Sequence, residues 1–481
     1  MDRKHLIFGV VSLALLMSSI DNTIVAVGLP AMQAGLHTTV LFIGWTITIY
    51  QLGQLLIMPL AGKLSDELGR KRVFLTAVTI FTASSFLCGF APNVYLLVVF
   101  RLMQAVGGGA FLPSCTGIIA DIYQDKRAQA IGLFSSIFPI GGIIGPNLGG
   151  VIIDHISWRF IFYVNVPLGL AVLVLTALLY RPGRQPAIRA TIDFLGVGLY
   201  GTAIVLVLLG LTWLGDHPHD VLRAPLLWLA FAGAIGLFVI WYWHEKHTAT
   251  PMVETVLLNY RPLLAANIYN FLYGAGVFGF TAFLPTYAEL YYHMSATAAG
   301  ALLTPRAVIM IVTSVLASFV IIRSGYWLPM IAGVVLMAIS LIVTSLGLRH
   351  VSVFGIGISN FWYLAMVVSL LGLGFGISGP ASNNAPIDVM PEKVAAITGI
   401  SGMFRSTGGV IGTATVVFVA SLFADEAHGL EVVFFGMAFV VLTVIPTVFF
   451  IPDTPRLKRR AAAQAARQGS PVHAGEHAMM E

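Results

Sequence analysis

The segment SSIDNTIVAVGLP, residues 18–30, places Asp21, with Asn22 and Thr23 beside it, inside a long apolar run. A carboxylate there can bind and release a proton, but an uncompensated charge at that depth costs about 3 kcal/mol or more. Arg101 lies in a second apolar run, Glu289 near the end of a third, and Arg306 and Arg405 inside two more. An acid and an arginine at matched depth would pair and stabilise each other against lipid. A cationic ligand, or rearrangement of the pair, would then exchange a proton at Asp21, which is the chemistry of proton coupling. The same pair would equally serve as a static tie between helices, and both readings stand at this level. Glu289 is a second proton site or outer gate residue, or a solvated helix end. Asn22, Tyr50, Gln51, Gln54, Arg306 and Asn383 are the polar groups a substrate would touch, although Arg306 has a bland alternative in carbonyls beside Pro305. Apolar walls of Phe, Tyr, Trp and Met around one or two acids suit small lipophilic compounds, cations above all.

The elements that must position these groups follow from composition. Of 481 residues, 58% are hydrophobic and 10% charged, against roughly 25% charged in soluble domains. The mean hydropathy is +0.89. Such a chain is an all-α polytopic membrane protein, because lipid offers backbone groups no partner but each other and each helical span needs about 20 apolar residues. Hydropathy marks fourteen spans, near 6–28, 39–61, 73–91, 94–118, 129–152, 159–180, 191–214, 223–243, 262–288, 297–322, 327–347, 360–385, 396–423 and 430–451. The first is read as an uncleaved span, since no small-residue cleavage site follows it. Of 26 Lys and Arg, 20 fall on the side of the N-terminus, only Arg159, Arg223 and Arg349 on the other, and Arg101, Arg306 and Arg405 within spans. That bias places both termini in the cytoplasm. It accounts for the net charge of +5 through orientation and anionic lipid headgroups, without nucleic acid. Cys88 and Cys115 both sit in apolar runs and imply neither disulfide nor zinc site. No phosphate-cradling loop, metal-spaced His cluster or nucleophile elbow is present, so no metal, no cofactor and no enzymatic activity is expected.

The chain also repeats itself at an offset of 267. DKRAQAIG at 125–132 aligns with EKVAAITG at 392–399; Gly141, Gly142 and Gly145 align with Gly408, Gly409 and Gly412; Gly107, Gly109 and Pro113 align with Gly374, Gly376 and Pro380. A repeat of several spans in one orientation is how many secondary transporters are built, with substrate handled between the halves. Shared glycines read as packing requirements. Groups present once need another reason: Arg101 corresponds to Val368, and the charged stretch around Asp66 keeps only Gly325 opposite Gly69 in the second half.

Together these motifs carry a resemblance. GKLSDELGRKR (62–72) resembles the loop signature of the major facilitator superfamily, RLMQAVGGGAFLP (101–113) its fourth-helix motif, and GGIIGPNLGG (141–150) its antiporter-associated fifth-helix motif. DNTIVAVGLP followed by WRFIFYVNVPLG (158–169) is similar to the fourteen-helix drug:proton antiporters. The resemblance covers residues 5–455. It implies a major facilitator fold: an N-terminal six-helix bundle (1–183), two linking transmembrane helices (184–250), a C-terminal six-helix bundle (251–455) and a cytoplasmic tail (456–481). It implies a cytoplasmic gate at Gly62, Asp66, Gly69 and Arg70 that latches the two halves, and a cavity seal at Gly141, Gly145, Pro146, Gly149 and Gly150. The expected function is proton-coupled export of small amphipathic, lipophilic and cationic compounds across the inner membrane by alternating access, with the proton gradient as energy source. A dedicated metabolite or lipid exporter, an uptake symporter and a non-transporting receptor on the same fold remain alternatives. The loop before the last span, ADEAHGLE (424–431), is too short to suggest docking to a periplasmic adaptor, and a monomer is expected.

Overall fold

The computed structural model describes residues 3–123, 130, 133–134, 137–180, 193–217, 225–249, 251–349, 351–353, 356–390 and 394–453. The tail from 456 and the repeat segment 125–129 lie outside these residues, as does the side chain of Asp66. Thirteen described helices are long and apolar enough to cross a membrane. A further helix, Ile137–His155, stands where the fifth span is expected.

The first half comprises α1 (Arg3–Gly35), α2 (Val40–Leu68), α3 (Arg70–Phe90), α4 (Val94–Gly109), α5 (Phe111–Ile122), α6 (Ile137–His155), α7 (Phe160–Tyr163) and α8 (Asn165–Leu179). The fourth span is thus two helices, offset at Ala110 after three consecutive glycines, where propensity is weakest. Next come α9 (Phe194–Asp216) and α10 (Pro225–His247). The second half comprises α11 (Thr255–Asn259), α12 (Arg261–Tyr292), α13 (Ala296–Ala301), α14 (Leu303–Ser324), α15 (Trp327–Ser345), α16 (Asn360–Val389), α17 (Val394–Ser421), α18 (Glu426–Leu442) and α19 (Ile445–Val448). A two-residue antiparallel pair, β1 (Ser352–Val353) with β2 (Ile356–Gly357), interrupts one loop.

Local sequence explains where the helices begin. Asn93 and Ser295 accept from the amides of Leu96 (2.9 Å) and Ala298 (3.2 Å), the N-cap geometry. Gly69 and Gly325 end α2 and α14 with φ of +92° and +77°, a conformation that costs glycine nothing. The repeat therefore preserves the same turn in both halves.

The helices pack as two groups. Helices α1–α8 contact mainly one another, as do α12–α19; the groups meet through α1 with α12, α2 with α17, and α6 with α13 and α14. Hydrogen bonds across that junction lie from mid-depth toward the face away from the N-terminus, the distal face. Gln33 donates to Glu426 (3.0 Å), Asn147 to Thr304 (2.5 Å) and Thr413 to Gln51 (3.5 Å). Asp154, just beyond the fifth span, accepts from the amides of Ala296 (3.1 Å) and Thr297 (2.8 Å).

Burial works to raise the pKa of Asp154, but the Thr297 hydroxyl, the two amides and His155 outweigh it and hold the group below its ordinary value. A depressed carboxylate contributes stability that is present above its unfolded pKa, about 3.9, and lost as pH falls through the folded value. The distal closure is therefore expected to be insensitive to pH between about 5 and 8 and to loosen only in stronger acid. Asp154→Asn is expected to loosen it at neutral pH. An impermeant maleimide should label an Ala301→Cys reporter about two- to fivefold faster in that variant, the scale of an exposed helix cap. Unchanged labelling would show that Asp154 plays no part in the closure. Native Cys88 and Cys115 are buried and leave the readout clean.

Candidate functional site

Asp21 and Arg101 do meet. Arg101 Nη1 lies 2.7 Å from Asp21 Oδ2, with side chains 1% and 0% exposed. Sequence distance alone had matched their depth; the structure shows what compensates the rest of both groups. Asp21 Oδ1 accepts from Gln104 Nε2 (2.8 Å) and Asn165 Nδ2 (2.9 Å). Arg101 also donates through Nη1 to Gln104 Oε1 (2.7 Å) and through Nε to the Thr46 carbonyl (3.1 Å). Ser85 accepts from both the Gln104 and Asn165 amides. Five elements, α1, α2, α3, α4 and α8, thus deliver one polar cluster to the middle of the first bundle. A buried charge is tolerable only when paired and hydrogen-bonded in this way.

Tyr50 belongs to the same cluster. Sequence reasoning places it on the substrate wall; the structure buries it, with Arg101 Cζ 3.8 Å above its ring centroid. Cation–π attraction with the guanidinium holds the ring inward. Asn22, Gln51 and Gln54 are half-buried, and Gln51 reaches Thr413 across the junction between halves.

Glu289 stands apart from this cluster, at the distal end of α12, with Oε1 buried and without a hydrogen-bond partner among the described residues. Arg306 and Asn383 belong to a second group in the other half. Arg405 Nη2 donates to Asn383 Oδ1 (2.7 Å), and its Nε donates to Asn270 Oδ1 (3.0 Å). Arg405 Cζ is 5.7 Å from the Tyr273 ring centroid, and Arg306 lies within electrostatic range of the same tyrosine. Helices α12, α14 and α17, which carry these arginines and Tyr273, are among those that meet the first bundle.

The glycine motif of α6 works on two faces. At Gly141, Gly145 and Gly149, spaced four apart, a Cβ would collide with Ser19, with Thr23 and Ile20, and with Ile24 of α1. At Gly150 it would meet backbone of Ala296 and Thr297 in the other half, and the Pro146 carbonyl occupies the space beside Gly300. One stripe packs α6 into its own bundle; the adjacent stripe meets the other bundle at the distal junction.

Three of the expected gate residues, Gly62, Gly69 and Arg70, are described in full. Gly62 is half-buried, and Gly69 takes the positive-φ turn between α2 and α3. Arg70 forms an ion pair with Asp121 (2.6 Å) and donates to the Gly117 carbonyl. Both partners lie on α5, so this tie runs within the first bundle.

Gln104, Asn165, Ser85 and Asn270 escape sequence reasoning, since neutral polar residues in helices carry no distinct signal. Only Gln104 gave a clue: three residues after Arg101, it shares that residue's helix face.

Comparison with known proteins agrees with this architecture. The family model described as Major Facilitator Superfamily matches residues 11–413 and, a second time, 267–477. A Bacillus subtilis protein named multidrug resistance protein 3 is 32% identical over 413 residues, which cover 85% of this chain and 78% of that protein. The multidrug transporter protein MdtP of the same organism is 30% identical over 415 residues, covering 85% and 74%. A multidrug resistance protein B homolog from Mycobacterium tuberculosis is 29% identical over 517 residues, covering 95% and 92%. Among solved structures, the nucleoside transporter NupG superposes with a TM-score of 0.67 at 14% identity, covering 93% of this chain and 99% of its own. A D-xylose–proton symporter superposes with a TM-score of 0.65 at 14% identity, covering 94% and 99%. These two share the fold alone. With a family model matched across most of the sequence and the two-bundle helical fold beneath it, this chain is a member of the major facilitator superfamily.

Proposed function

We propose that the protein is a proton-coupled antiporter that exports small amphipathic compounds by alternating access. It would act in the inner membrane with both termini cytoplasmic, drawing on the proton gradient and no cofactor. The observation that carries this reading is the ion pair of Asp21 and Arg101, buried at mid-depth in the first bundle. To accept a proton, Asp21 must give up Arg101, and Arg101 is tied to α2 through Thr46 and to Gln104 on its own helix. Protonation therefore rearranges a network anchored on α1 and α2, both of which meet the other half. That links a chemical event to the opening and closing of the distal junction, which is what coupling requires. Glu289, half-buried beside that junction with one buried oxygen unpartnered among the described residues, is a second group positioned to take up a proton when the junction opens.

The relatives named for multidrug transport and resistance support the substrate class. The loop 424–431 supports action without a periplasmic adaptor, because Asp425 caps α18 by accepting from the Ala427 amide (3.0 Å) and Glu426 is held by Gln33 (3.0 Å). A monomer would suffice, since both halves come from one chain.

The test is addition of an amphipathic dye to proteoliposomes loaded with a pH-sensitive fluorophore. Dye movement should be driven by an imposed pH gradient and should displace protons in the opposite direction. Absence of gradient-dependent flux across a broad dye panel would reject the reading. Flux in the same direction as protons would replace antiport with symport.

A further inference from the structure

The mid-depth charged groups of α14 and α17 are both cations. Arg306 lies ten residues past Ala296, and Arg405 eleven past Val394, so each is roughly 15–17 Å along its span, near mid-depth. Both side chains are half-buried. Among the described residues neither forms an ion pair. Arg405 is positioned by neutral oxygens, those of Asn270 and Asn383, while its Nη1 makes no hydrogen bond. Asn270 donates to the Ala266 carbonyl (2.9 Å), which turns its amide oxygen toward Arg405. Among the described residues no hydrogen bond to the Arg306 guanidinium is formed, and its Nε is buried without a partner. Two guanidinium groups at membrane depth, near one tyrosine and without a carboxylate, are an uncompensated charge that the first bundle, with its paired Asp21 and Arg101, conspicuously avoids.

We propose that Arg306 and Arg405, with Tyr273 and Asn383, form an anion-binding subsite that takes the carboxylate, sulfonate or phosphate of an amphipathic substrate. Guanidinium groups present paired N–H donors that match planar oxyanions, and the contact would supply the missing counter-charge. The expectation of a cationic substrate draws on apolar, aromatic walls around one or two acids; of these acids Asp21 is enclosed in the first bundle and paired with Arg101. The assignment rests on the transport reading for its physiological meaning, but the subsite can be read by binding alone.

The experiment titrates purified full-length protein with pyrenebutyrate and with the matching pyrenylbutyl-trimethylammonium, following fluorescence anisotropy. The anion is expected to bind more tightly. Arg306→Gln and Arg405→Gln should each weaken the anion about ten- to a hundredfold, the value of a charge-assisted contact, without weakening the cation. Arg→Lys at either position should restore part of the loss. The comparison of the two probes on unaltered protein decides the matter even if a variant fails to fold: equal affinity, or preference for the cation, overturns the proposal. Displacement of pyrenebutyrate by phosphatidylglycerol but not by 4-phenylbutyrate would also overturn it, by assigning the arginines to a lipid headgroup. Selective anion binding without gradient-driven flux of either probe would leave the subsite standing and remove the antiport reading instead.

Discussion

Arg101→Met is expected to destabilise the protein by about 3–5 kcal/mol, because it strands the Asp21 carboxylate in a site that water does not reach. Asp21→Asn is also expected to destabilise the protein, because it leaves the Arg101 cation buried without its counter-charge. The amide keeps one acceptor for Gln104 or Asn165 and nearly the same shape, so its functional effect is read on the folded fraction. Without a titratable group, substrate movement in proteoliposomes should lose its response to a pH gradient while substrate binding persists. The double variant Asp21→Asn with Arg101→Met should recover much of the stability lost in Arg101→Met, since no buried charge remains. A coupling energy of about 2 kcal/mol or more in that cycle would mark the pair as an interacting unit. Thermal unfolding in detergent measures the first effect and substrate-induced proton release the second. Normal proton release in Asp21→Asn would end the role assigned to this carboxylate, whatever the stabilities prove to be.

Gly150→Val should produce the second large effect, through shape. A Cβ at this position would stand 2.5 Å from the Ala296 carbonyl oxygen and the Thr297 Cα, and 2.7 Å from the Thr297 nitrogen. All three are backbone atoms and cannot rotate aside. The clash exists only when the distal junction is closed, so the substitution should disfavour that state by about 1–3 kcal/mol, or about five- to 150-fold in population. Exchange should slow accordingly, and an Ala301→Cys reporter should label rapidly from the distal side. Gly142→Val is the control: nothing lies within 4 Å of a Cβ there, so the same side chain on the same helix should leave transport and labelling close to normal. Equal behaviour of the two variants would show that Gly150 is not part of the seal.

How far these features were legible in the sequence depends on the kind of signal. Helical spans announce themselves by length and apolarity, and the glycine stripes by a spacing of four that only a helix brings onto one face. The meeting of Asp21 with Arg101 followed from matched depth, since buried opposite charges have few alternatives. Tyr50 could not be placed that way: a tyrosine suits a cavity wall and an arginine platform equally, and only the position of Arg101 decides. Gln104, Asn165 and Ser85 come from three different helices, and their convergence is a property of packing. Arg70 showed its charge but not its direction, which is set by Asp121 on the neighbouring helix. Arg306, Arg405 and Asn383 were each visible as polar groups in apolar runs, yet their common tyrosine and the absence of a shared acid emerge only in three dimensions.

Helix α9 touches both halves. Trp45 of α2 donates to Thr212 (2.7 Å), Tyr200 bonds Thr407 of α17 (2.6 Å), and a Cβ on Gly201 or Gly215 would strike Leu56 or Ser421. The added helix therefore lies like a cover strip along the crevice between α2 and α17, screening it from the surrounding hydrocarbon. A compound dissolved in the bilayer would find that flank shuttered.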